Sequence, residues 1–366
     1  MSYIHEQIEW PKFTWDDAKI TPILADARHR QGRLVGRMEG LGFRLRAEAV
    51  LETLTLDVIK SSEIEGETLH AGQVRSSVAR RLGIEIAGAV ATDRNVDGVV
   101  EMMLDATQNF DQPLAVERLF GWHAALFPTG FSGMQRITVA HWRDDAQGPM
   151  QVVSGAINRG KVHFEAPAAK RLPHEMAQFI SWANNAHDID PVLKAAIAHF
   201  WFVTIHPFDD GNGRMARALA DWTLARSEGS AQRFYSMSSQ IRVEREAYYA
   251  ILESTQGGSL NITAWLEWFL GCLLRAITAT ETTLSAVFGK AKFWEAHNGK
   301  SINDRQRLML NKLLEGFEGK LTSSKWAKIT KTSQDTAQRD IQSLVDAGIL
   351  VKDAAGGRST SYSLVV

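Results

Sequence analysis

The sequence predicts a mostly α-helical protein with one β-hairpin near its middle and a small C-terminal module of helices and hairpin. Three observations predict it. Apolar residues recur at helical spacing along most of the 366-residue chain, as at Val50, Leu51, Leu54 and Val58. β-branched residues mixed with Gly, Asn and Pro concentrate in one internal stretch, "RITVAHWRDDAQGPMQVVSGAINRGKVHFEAP". At "NGKSIN", residues 298–303, the helical pattern breaks and the composition changes.

The elements follow in order. Residues 1 to about 22 carry Trp10, Pro11, Phe13 and Trp15 with little periodicity, as in an ordered arm. Helical spacing runs from about Ile23 to Lys60, then "SSEIEGETL" intervenes before the short helix "AGQVRSSVARRLGIEIAG". "NVDGVVEMMLDATQNF" and "LAVERLFGWHAALF" are two more helices, ended by "PTGFSG". "MQVVSG" and "KVHFEA" are the arms of the predicted hairpin. "PHEMAQFISWANNAH" and "PVLKAAIAHFWFVTI" resume helix. More helix follows from "EREAYYAILESTQ" to "KAKFWEAH". The C-terminal module holds "RQRLMLNKLLEG" as a helix, "LTSSKWAKITKTSQDTAQRDIQSLVDAGIL" as helix, turn and helix, and "VKDAAGGRSTSYSLVV" as a Gly-tipped hairpin. No fixed-period repeat or low-complexity tract is found.

Bulk composition is that of a globular chain, 45% hydrophobic and 23% charged, long enough for two or three domains. A net charge of -1 gives no global field toward nucleic acid or membrane. The one cysteine, Cys272, excludes an intramolecular disulfide and a cysteine-based zinc cluster, and its apolar surroundings predict a buried thiol. The N-terminus lacks a secretory pattern. "WLEWFLGCLL" falls short of the ~20 apolar residues that span a bilayer. The expectation is a cytoplasmic protein without a membrane partner. The 11 tryptophans are read as anchors of a helical core.

The densest polar cluster, "IHPFDDGNGRMAR" from Ile205 to Arg217, lies between two apolar helices. A glycine-rich turn that opens a helix is an anion site, because the first N–H groups lack intrahelical acceptors and the helix end is positive. The N–H groups of Gly211, Asn212 and Gly213 can face one anion. Arg214 and Arg217, three apart, share a helix face, and two guanidinium forks there suit a polyphosphate. Asp210 beside such a cradle would repel the ligand unless a cation intervenes, which points to Mg2+. His206, at the end of the preceding helix, has the reach and ordinary pKa of a general base. Pro207 fixes its exit from that helix. The P-loop pattern with its lysine is absent.

"HPFDDGNGRMAR" resembles the Fic-domain motif, H-P-F-x-[D/E]-G-N-G-R-x-x-R, with every fixed position matched. The predicted hairpin resembles the flap of that family, and "EAYYAILES" resembles the segment lining the nucleotide base. The resemblance implies three regions: a helical N-terminal region over 1–92, a Fic core over 93–297, and a C-terminal module over 298–366. It implies transfer of AMP from ATP to a Ser, Thr or Tyr hydroxyl of a target protein, the enzyme itself included. His206 would take the hydroxyl proton and Asp210 would hold Mg2+ across the α- and β-phosphates. Gly211, Asn212 and Gly213 would cradle the phosphates. Arg214 would take the β-phosphate side and Arg217 the γ-phosphate. Phe208 would pack into the core, and Asp209, at the variable position, has no assigned role. Tyr248, Tyr249 and Gln256 would bound the adenine. Lys161, Val162, His163 and Phe164 of the hairpin would cover the nucleotide and pair with an extended target segment.

Upstream, Ser61, Glu65 and Gly66 in "SSEIEGETL" match the inhibitory pattern [S/T]-x-x-x-E-[G/N] of many Fic proteins. The resemblance implies that Glu65 pairs with Arg217 in the γ-phosphate position. Ser61 would hydrogen-bond locally to fix the helix that Gly66 ends. The C-terminal module resembles a winged helix-turn-helix. Gln334, Thr336, Gln338 and Arg339 would face DNA, with Arg358 near the wing tip and Lys325, Lys328 and Lys331 near phosphates. A protein-docking or dimerisation role for this module stays open, as does a homodimer. Two other activities stay open: a de-AMPylating hydrolase on the same site, and a DNA-binding regulator that senses nucleotide through the Fic core. The target, the modified residue and a donor other than ATP are not written in the sequence.

Overall fold

Helix boundaries in this chain follow its capping chemistry. The structure, a computed structural model, describes every residue except 1–2, 87, 155–160, 186–188, 284, 315–316, 318, 354–359 and 366, and for 44, 282–283, 285–288 and 291 the backbone only. The described chain divides into two units between Glu281 and Thr282, ahead of the composition break at 298.

In the first unit, α1 (Asp17–Glu39) starts where the Asp16 carboxylate accepts from the Ala18 N–H at 3.0 Å. α2 (Phe43–Ile64) ends in a left-handed turn at Gly66, φ 84°. The Gly66 N–H bonds the Glu63 carbonyl and the Glu67 N–H bonds the Ser62 carbonyl, a Schellman closure that needs glycine at its turn. α3 (Ala71–Leu82), α4 (Arg94–Gln108) and α5 (Val116–Leu126) follow. α4 is capped by Asp93, which accepts from Val96 at 2.9 Å. Gly98 lets α4 and α5 nearly touch, since a Cβ there would sit 1.8 Å from the Ala125 carbonyl oxygen.

Among the described residues three small antiparallel strand pairs occur, two of them in this unit. β1 (Phe131–Ser132) pairs with β2 (Gln135–Arg136), and β3 (Gln151–Ser154) with β4 (Lys161–Glu165). Val152 faces Phe164 and Val153 faces Val162, so His163 is the extra residue of a bulge. α6 (Leu172–Asn184) leads to α7 (Pro191–Ile205), whose start carries the Asp190 cap and a proline. α7 is buried from Val192 to Ile205 with Lys194 as the exception, and it packs along α8 (Asn212–Glu228) as the centre of the core. α9 (Met237–Val243), α10 (Arg245–Gln256) and α11 (Thr263–Thr283) surround that pair.

The N-terminal arm is ordered by tertiary contacts. Thr14 exchanges backbone hydrogen bonds with Leu260 and Ile262, each 2.9 Å, and Trp10 donates to Glu175 at 2.8 Å. Phe13 packs edge-on against Phe200 and Trp201. Trp222 and Trp265 are buried core anchors, and Cys272 is a buried thiol whose pKa burial pushes up.

The second unit contains α12 (Ser285–Ala296), α13 (Asp304–Leu314), α14 (Ser323–Thr330), α15 (Gln334–Asp346) and the hairpin β5 (Leu350–Lys352) with β6 (Tyr362–Leu364). Thr322 and Ser333 cap α14 and α15 through Lys325 and Thr336 N–H groups. Met309, Leu310, Trp326, Ala337, Ile341, Leu344, Leu350 and Tyr362 form its core. Gln338 donates to the Tyr362 hydroxyl at 3.1 Å, and Arg339 to the Asp335 carbonyl at 3.4 Å. Gln334, Arg339 and the lysines 325, 328 and 331 are exposed, Thr336 less so. Arg358 lies outside the described residues. Among the described residues no helix is long and apolar enough to cross a membrane.

Candidate active site

The site is built at the junction of α7 and α8. His206 caps α7 in the left-handed conformation, φ 52°, with its N–H on the Phe202 carbonyl at 3.0 Å. Pro207 cannot continue the helix, so the chain turns there. The imidazole Nδ1 lies 3.2 Å from the Val203 carbonyl, which only accepts. Nδ1 therefore carries the proton and Nε2 keeps its lone pair. Burial pulls the pKa of His206 down to about 4 against the Val203 bond, with the Arg143 charge acting in the same direction as burial. The imidazole is neutral at pH 7.

One local pair of bonds and several long-range ones hold the loop from Pro207 to Gly211. Asn212 closes it: its side-chain oxygen accepts from the Phe208 N–H at 3.0 Å and its amide donates to the Phe208 carbonyl at 2.8 Å. Arg143, whose side chain is fully buried, donates to the His206 carbonyl at 2.7 Å and the Pro167 carbonyl at 2.6 Å, and pairs with Asp145. Its backbone N–H bonds the Pro207 carbonyl at 3.0 Å. Phe208 is buried and stacks on His123 at 4.2 Å between ring centroids. His123 Nε2 donates to the Asp210 carbonyl at 3.2 Å, while Nδ1 accepts from the Ala140 N–H at 3.1 Å. Burial lowers the His123 pKa to about 4, so this ring is also neutral. Asp209 accepts from the Thr138 N–H at 2.8 Å, a loop-fixing contact for a residue the motif leaves without a role.

The Asp210 carboxylate accepts from the Gly211 N–H at 2.5 Å and from the Ser132 hydroxyl. The Gly211 N–H is thus engaged by the Asp210 carboxylate within the loop. The first intrahelical bond of α8 runs from the Met215 N–H to the Gly211 carbonyl. The N–H groups of Asn212, Gly213 and Arg214 therefore have no intrahelical acceptor. Gly211, φ 82°, also has no room for a side chain, since a Cβ would meet the Phe127 ring at 2.9 Å.

A carboxylate lies over this helix end. A Cβ on Gly213 would sit 2.2 Å from Glu65 Oε1, and the same oxygen is 2.7 Å from Arg217 Nη2. Arg217 is buried, and its Nε and Nη2 also donate to the Ser61 hydroxyl and carbonyl, each at 2.9 Å. Ser61 therefore contacts Arg217 rather than bonding locally within its helix. Burial opposes the Arg217 charge, yet Glu65 leads the groups that carry its pKa above the ordinary value. Arg214 pairs with Glu67 at 2.6 Å and lies over the Phe127 ring at 5.0 Å. Two buried guanidinium nitrogens, Arg217 Nη1 and Arg214 Nε, have no hydrogen-bond partner.

The structure distributes the remaining expected residues unevenly. Lys161 and His163 both meet Glu253 of α10, at 2.7 and 2.6 Å, which ties β4 to that helix. Val162 is exposed, whereas Phe164 is buried against Tyr3 and His5 of the N-terminal arm. Tyr248 is buried with its hydroxyl 2.9 Å from His199 Nε2, and Gln256 is buried with its amide on Thr204 at 3.2 Å. Tyr249 is the more open ring. It lies under Arg245, whose Nε bonds the Ile64 carbonyl at 2.8 Å, at the end of α2. Sequence reasoning missed Glu67, His123, Ser132, Arg143 and Glu253. Only Glu67 had a local signal, as the second acid of "EGE".

Among the described residues no cluster of three or more metal-ligating side chains occurs. Mg2+ takes one or two carboxylates and completes its shell with substrate phosphates and water, so the lone Asp210 carboxylate beside free helix N–H groups fits that ion. A cavity of about 670 Å³ on α3 to α5 is a poorer candidate, because its Asp105 is already paired with the Arg118 guanidinium at 2.7 Å, a cation that a metal would have to displace.

Comparison with known proteins agrees with the geometry. Residues 113–224 match the model of the Fic/DOC family, and residues 3–84 match a domain of unknown function, DUF4172. The matched Fic/DOC segment includes the whole stretch from His206 to Arg217. The protein adenylyltransferase fic-1 of Caenorhabditis elegans is 30% identical over 217 residues, 57% of this chain and 40% of that protein. The chain therefore spans well under half of that relative. A Fic family protein from Desulfovibrio desulfuricans shares the fold at a TM-score of 0.57 and 22% identity, covering 97% of this chain and 98% of the other. A Fic-domain signaling protein from Bacteroides thetaiotaomicron does so at 0.52 and 21%, covering 74% and 97%.

Proposed function

We propose that the protein is an adenylyltransferase that moves AMP from ATP to a hydroxyl side chain of target proteins, itself included, and that Glu65 holds it inactive. The observation that carries this reading is the pair of buried arginines at the α8 N-terminus. Each has an unpartnered nitrogen and each is held by a carboxylate that a phosphate could replace. Beside them stands a neutral histidine with Nε2 free to accept a proton.

The steps follow from these positions. A target Ser, Thr or Tyr enters along the exposed face of β3–β4, where Val153 and Val162 are open to solvent. His206 Nε2 removes the hydroxyl proton as the oxygen attacks the α-phosphorus. The bond from that phosphorus to the bridging oxygen of the β-phosphate breaks, and pyrophosphate leaves. Charge that grows on the phosphate oxygens meets the N–H groups of Asn212 to Arg214, whose direction is set before reaction by the Asn212–Phe208 bonds. Mg2+ held by Asp210 would neutralise charge between the α- and β-phosphates. Arg214 takes the β-phosphate side and Arg217 the γ-phosphate. Tyr249 and, behind it, Tyr248 and Gln256 bound the adenine. Lys161, Val162, His163 and Phe164 belong to the cover. Glu65 opposes all of this by occupying Arg217 and lying over Gly213.

The test is covalent labelling. The Glu65→Gly form, incubated with host lysate, should attach label from ATP marked at the α-phosphate and none from ATP marked at the γ-phosphate. His206→Ala should remove it. No label from either donor, or label that survives His206→Ala, refutes the reading. The half-open Glu65 carboxylate also favours a second direction, orienting water to remove AMP. Loss of AMP from a prelabelled target, sensitive to Glu65→Gly, would identify it.

The C-terminal unit, residues 282–366, holds 13 Lys and Arg against 8 Asp and Glu, while the whole chain is -1. This asymmetry supports duplex DNA as a further partner of that unit, on the winged-helix reading. A salt-dependent mobility shift with random duplex tests it, and no shift at low salt points to a protein partner instead.

A further inference from the structure

The inhibitory pattern ends at Gly66, yet the structure brings a second carboxylate to the same site. Gly66 reverses the chain, and the Glu67 N–H on the Ser62 carbonyl at 3.0 Å locks the reversal. This turn aims Glu65 and Glu67 at α8 together. Glu65 meets Arg217 and Glu67 meets Arg214, at 2.7 and 2.6 Å. The two pairs differ in setting. The Arg side chains are both buried, at 1% and 3% exposure, but Glu67 is 44% exposed and Glu65 30%.

We propose that Glu67 is a second determinant of nucleotide binding, gating the β-phosphate as Glu65 gates the γ-phosphate. The inference rests on the proposed nucleotide site, with Arg214 on the β-phosphate side. A nucleoside diphosphate then has to free Arg214 from Glu67, and a triphosphate has to free Arg217 from Glu65 as well. A monophosphate has to free neither. The more exposed Glu67 regains water easily when it leaves, so its barrier is the lower one and is screened by salt. Glu65 and Glu67 therefore grade nucleotides by phosphate number.

The experiment measures dissociation constants of AMP, ADP and ATP by calorimetry, on the full chain. The forms are wild type, Glu67→Gln, Glu65→Gly and the double variant. Glu67→Gln should tighten ADP and ATP by about five-fold, the scale of a half-exposed ion pair, and leave AMP unchanged. Glu65→Gly should tighten ATP more than ADP, because it frees Arg217 for the γ-phosphate. The Glu67→Gln gain for ADP should shrink at ~1 M salt, where the wild-type pair is screened. Glu67→Ala should repeat the pattern, and coincident melting curves show that the fold is kept. An ADP affinity unmoved by both Glu67 substitutions, or AMP tightened as much as ADP, overturns the inference while ATP binding to Glu65→Gly leaves the proposed site standing. If none of the four forms binds any of the three nucleotides, the proposed site falls and the inference with it.

Discussion

Proton affinity at His206 offers a sharp prediction about the site. An unperturbed histidine titrates near 6.5, and burial brings His206 to about 4. At pH 6 an ordinary imidazole would be roughly three-quarters protonated, whereas His206 would be protonated in about one molecule in a hundred. The sign for stability follows from linkage. Between about 6.5 and 4 the unfolded chain binds a proton that the folded site refuses, so folding loses support as pH falls, by roughly 3 kcal/mol across the window. His123 and His199, also lowered by burial, push the same way, so whole-protein acid unfolding does not isolate His206. The assay is nitrogen NMR of 15N-histidine-labelled protein from pH 8 to 3.5, with His206→Ala to assign the signal. The expected result is an Nδ1–H tautomer at pH 7 and a midpoint near 4. A midpoint near 6.5, or the proton on Nε2, refutes the reasoning, because Nε2 would then lack the poised lone pair.

Other outcomes are expected elsewhere. Gly66→Ala places a side chain at φ 84° with open space around it, so the cost is conformational, about 1–2 kcal/mol. The Schellman turn should loosen and initial labelling with ATP should rise by roughly five- to thirty-fold, and an unchanged rate would show that the turn does not position Glu65. Asn212→Asp removes the donor to the Phe208 carbonyl and leaves that buried acceptor short of a partner, costing about 1–3 kcal/mol. In the Glu65→Gly background it should cut labelling at least about ten-fold. Trp326→Ala empties the centre of the second unit at a cost of about 3–5 kcal/mol. It should lower that unit's denaturant midpoint while labelling by the Glu65→Gly form persists, since the proposed reaction uses residues of the first unit alone.

Much of the site was legible because its parts are contiguous in sequence. A helix, a Pro exit, a glycine turn and a second helix are set by φ preferences and capping, all local effects. The Ser61 to Gly66 pattern is likewise one helix end. The supports were not legible. Arg143 reaches the His206 carbonyl from 63 positions away, and His123 reaches the Asp210 carbonyl from 87. Neither has a local signature, because a lone buried Arg or His is identified only by the acceptors the fold brings to it. The expected adenine residues show the opposite limit. Tyr248 and Gln256 share helix α10 with Tyr249, but packing against α7 buries the first two and leaves the third more open.

The sequence by itself determined the helical architecture, the loop that offers N–H groups beside two arginines, and the acid–glycine turn at the end of α2. These depend on neighbours in the chain, through period, caps and turns. Only the tertiary structure decided that the turn lands on α8, that Ser61 serves Arg217, and that Glu67 takes Arg214. It also decided the charge of His206, because burial lowers its pKa, whereas the Val203 carbonyl that sets its tautomer is a local contact three residues back. Pairing across 147 and 152 positions is a property of packed helices, and no local preference encodes which carboxylate meets which guanidinium.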